Sequence, residues 1–194
     1  MSGDELIPES MLSITHAITI KARPEQIWPW LAQMGAGRAG WYSWDFIDNG
    51  NARSARSILP EYQNIAVGDV LPAIPGAEDA FVLDALDPGR NLVLTVPCPS
   101  GGLLVSWEFV LEGLEYNKTR LIVRARVSET WLRDMRGQVY SEGGPILVQR
   151  MYAILGIIPR WIMLPVARIG HRIMEARMLR GIKRRAESLS RCLN

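Results

Sequence analysis

Apolar and polar residues alternate in LSITHAITI, near the start of the chain, with Leu12, Ile14, Ile18 and Ile20 on one side and Ser13, Thr15 and Thr19 on the other. A period of two predicts a half-buried strand, and it puts His16 on the apolar side. The period then lengthens. In RPEQIWPWLAQM, Ile27, Leu31 and Met34 recur at helical spacing, Pro24 stands where a first turn needs no N–H, and Glu25 lies beside the positive helix end. Pro29 is expected to bend or delay this helix.

The next stretch, GAGRAGWYSWDFIDN, crowds Trp41, Tyr42, Trp44 and Phe46 around Asp45 and Asp48, with Ser43 placed to cap a short helix. Prolines and glycines break the following residues, which predicts loop, a short helix and a short strand near Val67 to Leu71. A meander follows. AFVLDAL and NLVLTV flank the turn DPGR, and LLVSWEFVLE and TRLIVRARVS flank GLEYNK. Pairing Glu112 with Arg120 also sets Glu108 opposite Arg124, two opposite-charge pairs that predict a solvated face. The other face, with Trp107 pointing inward beside Phe109, Leu121 and Val123, is expected to be buried.

GPILVQRMYAILGII reads as a very apolar helix, with Pro145 at its start and Gly156 at its end. A longer helix is predicted from about Pro165 to Leu189, with His171, Met174, Met178, Ile182, Ala186 and Leu189 on one face and Arg172, Arg180, Lys183 and Arg184 away from it. Strand, short helices, antiparallel strands and a long amphipathic helix, in that order, predict an α+β fold with helices on one face of the sheet.

The motifs ITIKARPEQIWPWLAQMG, GRAGWYSWDFIDN, VGD at Val67 to Asp69, SWEFVLEGLEYNKTRLIVRAR and MEARMLRGIKRRAE resemble, in order and spacing, the SRPBCC superfamily, the START-like, polyketide cyclase/dehydrase and lipid-transport group. The resemblance covers most of residues 12 to 190. It implies a helix-grip fold, in which a curved antiparallel sheet wraps a long C-terminal helix around an apolar cavity for a lipid-like or polyketide-like molecule. It does not choose among carriers, cyclases, hydrolases and sensors. The whole chain, 1–194, is then one domain, with residues 1–10 a flexible N-terminus and 129–164 an apolar insertion before the last helix.

Composition narrows this further. The apolar fraction of 48% and charged fraction of 22% are those of a globular protein. Cys98 and Cys192 form neither a metal-ligand spacing nor a disulfide framework, and MSGDELIPES has acidic residues where a secretion signal needs basic ones. The expectation is a cytoplasmic protein with no cofactor and no metal. Residues 159–194 hold nine basic residues against two acidic ones, although the net charge is only +2.

That basic end does not suit nucleic acid, since the helix needs its apolar face for the sheet and no recognition module accompanies it. Prolines and arginines interrupt residues 146–169 too often for a membrane span. A lid or core helix, a homodimer interface, or peripheral membrane contact together with the basic helix remain open for that segment.

Gly35, Gly37 and Gly40 match G-x-G-x-x-G, but they follow a helix and open an aromatic stretch, the reverse of a dinucleotide loop. A bend after the first helix is the better reading. Tyr42 and Asp45 are placed at the mouth of the pocket, with Trp41, Tyr42, Trp107, Met174 and Met178 as its wall and His171 beside them. His16 and His171 both face inward, and an imidazole titrates near neutrality. The alternative reading is that each satisfies a local backbone group at the edge of the core. The leading expectation is binding of a small hydrophobic ligand, whether lipid, isoprenoid or polyketide. The alternatives are a cyclase or dehydratase using His16, His171, Asp45 or Tyr42, and a membrane-surface or partner-binding adaptor.

Overall fold

The computed structural model describes residues 2–75, 80–98, 101–131 and 159–193. Six strands, β1 (Ser10–Ile20), β2 (Val70–Pro72), β3 (Ala80–Asp87), β4 (Asn91–Pro97), β5 (Leu103–Leu114) and β6 (Lys118–Ser128), form one antiparallel sheet in the order β1-β6-β5-β4-β3-β2. Between β1 and β2 lie α1 (Pro24–Ala32), the short α2 (Asp45–Asp48) and a 3-10 turn at Pro60–Tyr62. The long helix α3 (Arg160–Leu193) closes the chain. The α+β helix-grip architecture is the one the sequence predicts.

The first strand pairs with the last, and this fixes what lies beside what. His16 is opposite Val123, which is opposite Phe109; one rung along, Ile14, Ala125 and Trp107 are in line. The expected pairs Glu108 with Arg124 and Glu112 with Arg120 are both present. α3 runs beside β1, where the Lys183 ammonium donates to the Thr19 carbonyl at 2.8 Å and Glu187 accepts the Lys21 N–H at 2.9 Å. The inward residues Ile20, Leu92, Leu94, Phe109, Leu121, Val123, Ile182 and Ala186 are buried between sheet and helix.

Burial is uneven along this core. Leu12, Leu103, Val105, Trp107 and Val127, at one end of the same concave face, are only half-buried. Correspondingly, no described side chain of α3 before Glu175 is buried, whereas Glu175, Met178, Leu179, Ile182 and Ala186 are. Among the described residues the grip is tight at one end and more open at the other.

Three expectations are corrected. Glu108 is not solvated: it is buried, accepting the Gly3 N–H at 3.0 Å and the Asn91 side-chain amide at 3.1 Å. The covering group is the segment expected to be flexible. Its 3-10 turn at Ser2–Asp4 lies on the outer face of the sheet, tied there by Asp4 pairing with Arg124 and Arg126. A buried carboxylate is tolerated here because N–H donors reach both of its oxygens. The final helix also starts earlier than expected, with Pro165 inside it. The predicted apolar helix at 145–156, and most of the insertion at 129–164, lie outside the described residues.

The glycine loop is a bend. Gly35, Gly37 and Gly40 all have positive φ, and Gly35 and Gly40 bond each other through both of their N–H groups. Those donors are spent on the loop itself and do not present a phosphate cradle. The loop carries Tyr42 against α3, where Gly181 packs on its backbone. A Cβ on Gly181 would lie well inside van der Waals contact of the Tyr42 carbonyl oxygen and 2.8 Å from its Cβ. Gly181→Ala is favoured by helix propensity by about 1 kcal/mol, but the backbone clash should outweigh it, for a net loss of about 1–3 kcal/mol. Urea denaturation measures the sign, and a more stable variant would show that α3 does not touch this loop.

Candidate functional site

One side chain organises the site, and it is a carboxylate. Glu175, on α3, has no exposed side-chain surface. Its Oε2 is bonded to Nδ1 of His16 from β1, and its Oε1 accepts the indole N–H of Trp107 from β5 at 3.3 Å. His171, one turn earlier on α3, brings Nε2 to 3.5 Å from the same Oε2, within ion-pair range but without a hydrogen bond. The helical spacing of four puts His171 and Glu175 on one face, and strand alternation aims His16 and Trp107 at them.

This geometry assigns roles to the nitrogens. A carboxylate only accepts, so His16 donates through Nδ1 and turns its other nitrogen, Nε2, toward another partner. Burial pushes the His171 imidazole below its ordinary range; Glu175 pulls it up and His16 pushes it further down. With burial dominating, His171 is neutral at pH 7. The two rings flank one carboxylate oxygen, close enough to meet the same small molecule.

Aromatic rings complete the wall. Around Trp107 lie Phe109 at 4.9 Å, Phe81 at 5.4 Å, Trp41 at 5.6 Å and His171 at 6.2 Å, centroid to centroid. Trp41 and Phe109 are buried, whereas Phe81, Trp107, His16, His171 and Met174 are half-buried. The accessible part of the cluster is therefore aromatic and imidazole surface with a buried carboxylate behind it.

The six-stranded antiparallel sheet with its long C-terminal helix is a helix-grip arrangement. No family model and no curated protein matches it. Among solved structures it is similar to the Zhui aromatase/cyclase from Streptomyces sp. R1128, at 12% identity over 94% of this chain and 96% of that one, with a TM-score of 0.47. A Mesorhizobium loti protein is 15% identical over 94% of this chain and 99% of that one, with a TM-score of 0.43. CalU16 from Micromonospora echinospora is 13% identical over 92% of this chain and 86% of that one, with a TM-score of 0.38. At such distances the likeness concerns fold alone.

Of the residues singled out in the sequence, His16, His171, Trp107 and Trp41 converge. Met174 is half-buried on the same helix, while Met178 is core. Tyr42 and Asp45 are not at a pocket mouth. The Tyr42 side chain is buried with its hydroxyl donating to the Trp30 carbonyl at 2.9 Å, and burial pushes its phenol pKa up. Asp45 accepts from the Ser54 hydroxyl at the start of α2. Both serve the loop, because that loop packs under Arg185, which lies over the Tyr42 ring. Ser43 does not cap α2 but donates to the Met174 carbonyl at 3.2 Å, tying the loop to α3.

Sequence reasoning missed Glu175 and Phe81. The signal for Glu175 was present, four residues after His171 on the face already taken as inner. Among the described residues no group of three His, Cys, Asp or Glu side chains is placed to hold a metal ion.

The chain has only two histidines, so NMR titration resolves each. His171 should titrate below its ordinary value of 6.5. Glu175→Gln removes the carboxylate that favours the imidazolium, so it should move His171 lower still. An unchanged or raised His171 pKa in that variant would separate the carboxylate from the ring.

Proposed function

We propose that the protein binds a small, largely apolar molecule at the open end of the grip, with Phe81 and Trp107 against its apolar body and a polar group turned toward His16 and His171. The observation that carries this reading is the half-buried aromatic and imidazole surface above a fully buried carboxylate. An apolar wall with few convergent polar groups is what a small-molecule site needs: burial supplies roughly 25 cal/mol per Å² before association costs, and the polar groups set orientation. Lipid, isoprenoid and aromatic polyketide all fit this chemistry.

Proton transfer on the bound molecule is the second reading, and the His16–Glu175 bond favours it. A carboxylate that fixes the tautomer and stabilises the protonated ring makes the opposite nitrogen a better base. Neutral His171, beside it, would accept or return a proton on the same molecule. A carbonyl compound that loses water or closes a ring would use such a pair.

Native mass spectrometry followed by denaturing extraction is expected to release a bound apolar compound, and the free protein should then rebind it with a change in tryptophan emission. Trp107→Leu should weaken that binding about tenfold, as loss of an aromatic contact does. A protein that purifies empty and gives no emission change with fatty acids, isoprenoids or aromatic polyketides overturns the binding reading. If a reaction follows, His16→Gln should lower kcat by about 10²–10⁴-fold while leaving Kd within about twofold. Loss in Kd alone would leave the site a binding site.

A further inference from the structure

The outward side of α3 changes character along its length. Ile162, Val166, Ile169 and Ile173, at steps of four, three and four, lie on the helix side turned from the sheet, with Trp161 beside them. All five are exposed, Ile169 by 60%, Ile173 by 54% and Trp161 by 75%. Past Glu175 the same side is continued by Arg177, Arg180, Arg184 and Arg191, all exposed. Arg168 and Arg172, also exposed, flank the apolar stripe on the Trp161 side, so apolar and basic positions share one side of one helix.

The two halves ask for different things. An apolar stripe of this kind is unfavourable in water and marks a contact surface. Arg177, Arg180, Lys183 and Arg184, with Glu187, line a shallow groove of about 250 Å³. Lys183 and Glu187 are 3.7 Å apart and partly offset each other, and Arg177 stacks on Trp44 at 3.9 Å, which leaves Arg180 and Arg184 facing outward with no carboxylate against them among the described residues.

A second copy of the chain matches this face poorly. Laid parallel it sets arginines on arginines, and laid antiparallel along the full helix it sets arginines on isoleucines. A bilayer with anionic lipid accepts both halves: apolar side chains enter the boundary of the acyl region while guanidinium groups meet lipid phosphates. No helix of the described residues is long and apolar enough to cross a membrane, so the contact is with a surface.

We infer that the outward face of α3, apolar from Trp161 to Ile173 and basic from Arg177 to Arg191, docks the protein on the surface of an anionic lipid bilayer. The inference stands apart from the binding reading, because it uses the opposite side of the helix. It also places the open end of the grip, which adjoins the apolar half of α3, next to the bilayer.

Co-flotation of the full chain with vesicles tests it, using phosphatidylcholine alone against equal parts phosphatidylcholine and phosphatidylglycerol. The protein should float with the anionic vesicles at low salt, not with the neutral ones, and binding should fall as salt rises. Arg180→Gln with Arg184→Gln should lower the partition coefficient roughly thirtyfold, about fivefold per arginine. Ile169→Asp with Ile173→Asp, at exposed positions that leave the core intact, should abolish flotation without changing the denaturation midpoint.

No flotation at low salt overturns the inference. Flotation that survives the aspartate pair does so as well, because the apolar half would then play no part. A concentration-dependent dimer by light scattering, lost in the aspartate pair, would assign the stripe to a second copy instead.

Discussion

A carboxylate with no exposed surface has to be matched by donors from whatever packs over it, and the placement of Glu175 makes that requirement act on three elements at once. β1 supplies His16, β5 supplies Trp107, and α3 supplies both the carboxylate and His171. The strands that provide the partners are separated by β6 in the sheet. The angle and depth of α3 are therefore tied to a particular register. Sliding the helix by one turn would leave a buried charge unmatched, a cost of several kcal/mol that apolar packing alone would not impose.

The same problem is solved a second time, on the other side of the sheet. Trp107 and Glu108 are neighbours on β5 and point to opposite faces, as strand geometry requires. Trp107 donates to the carboxylate on the concave side. On the convex side Glu108 is covered by the N-terminal turn and receives the Gly3 N–H. A side chain at Gly3 would crowd that approach, since its Cβ would lie 3.0 Å from a Glu108 carboxylate oxygen. One strand thus anchors a layer on each face, and each anchor is a polar group in an otherwise apolar setting.

Periodicity made the fold legible, since period two and helical spacing are local properties that survive in the structure as β1, β5, β6 and α3. The cross-strand pair Glu108 with Arg124 was legible for the same reason, but its environment was not. Nothing local records that residues a hundred positions away will lie on top of it. The inward direction of His16, His171 and Trp107 could likewise be read from alternation, and their convergence could not. Tyr42 and Asp45 misled because aromatic and acidic residues crowd a loop for packing as readily as for binding. Their partners, Trp30, Ser54 and Arg185, are ordinary in sequence. Glu175 was passed over because it was counted as charge in a basic helix, although its distance from His171 placed it on the inner face.

Glu175 also stands where the character of the molecule changes. Among described side chains, α3 is buried on its inner face from this residue onward and only partly so before it. On its outer face the change from apolar to basic falls at the same point. The closed half of the grip is sealed by Phe109, Leu121, Ile182 and Ala186, and it has no need of titratable groups. The open half holds the half-buried rings and the imidazoles. A buried carboxylate set at that boundary reaches the site without being solvated by it, and its field acts on His16 and His171 through low-dielectric surroundings where it is least screened. The packing that fixes the helix and the electrostatics available to a bound molecule are consequently properties of one side chain.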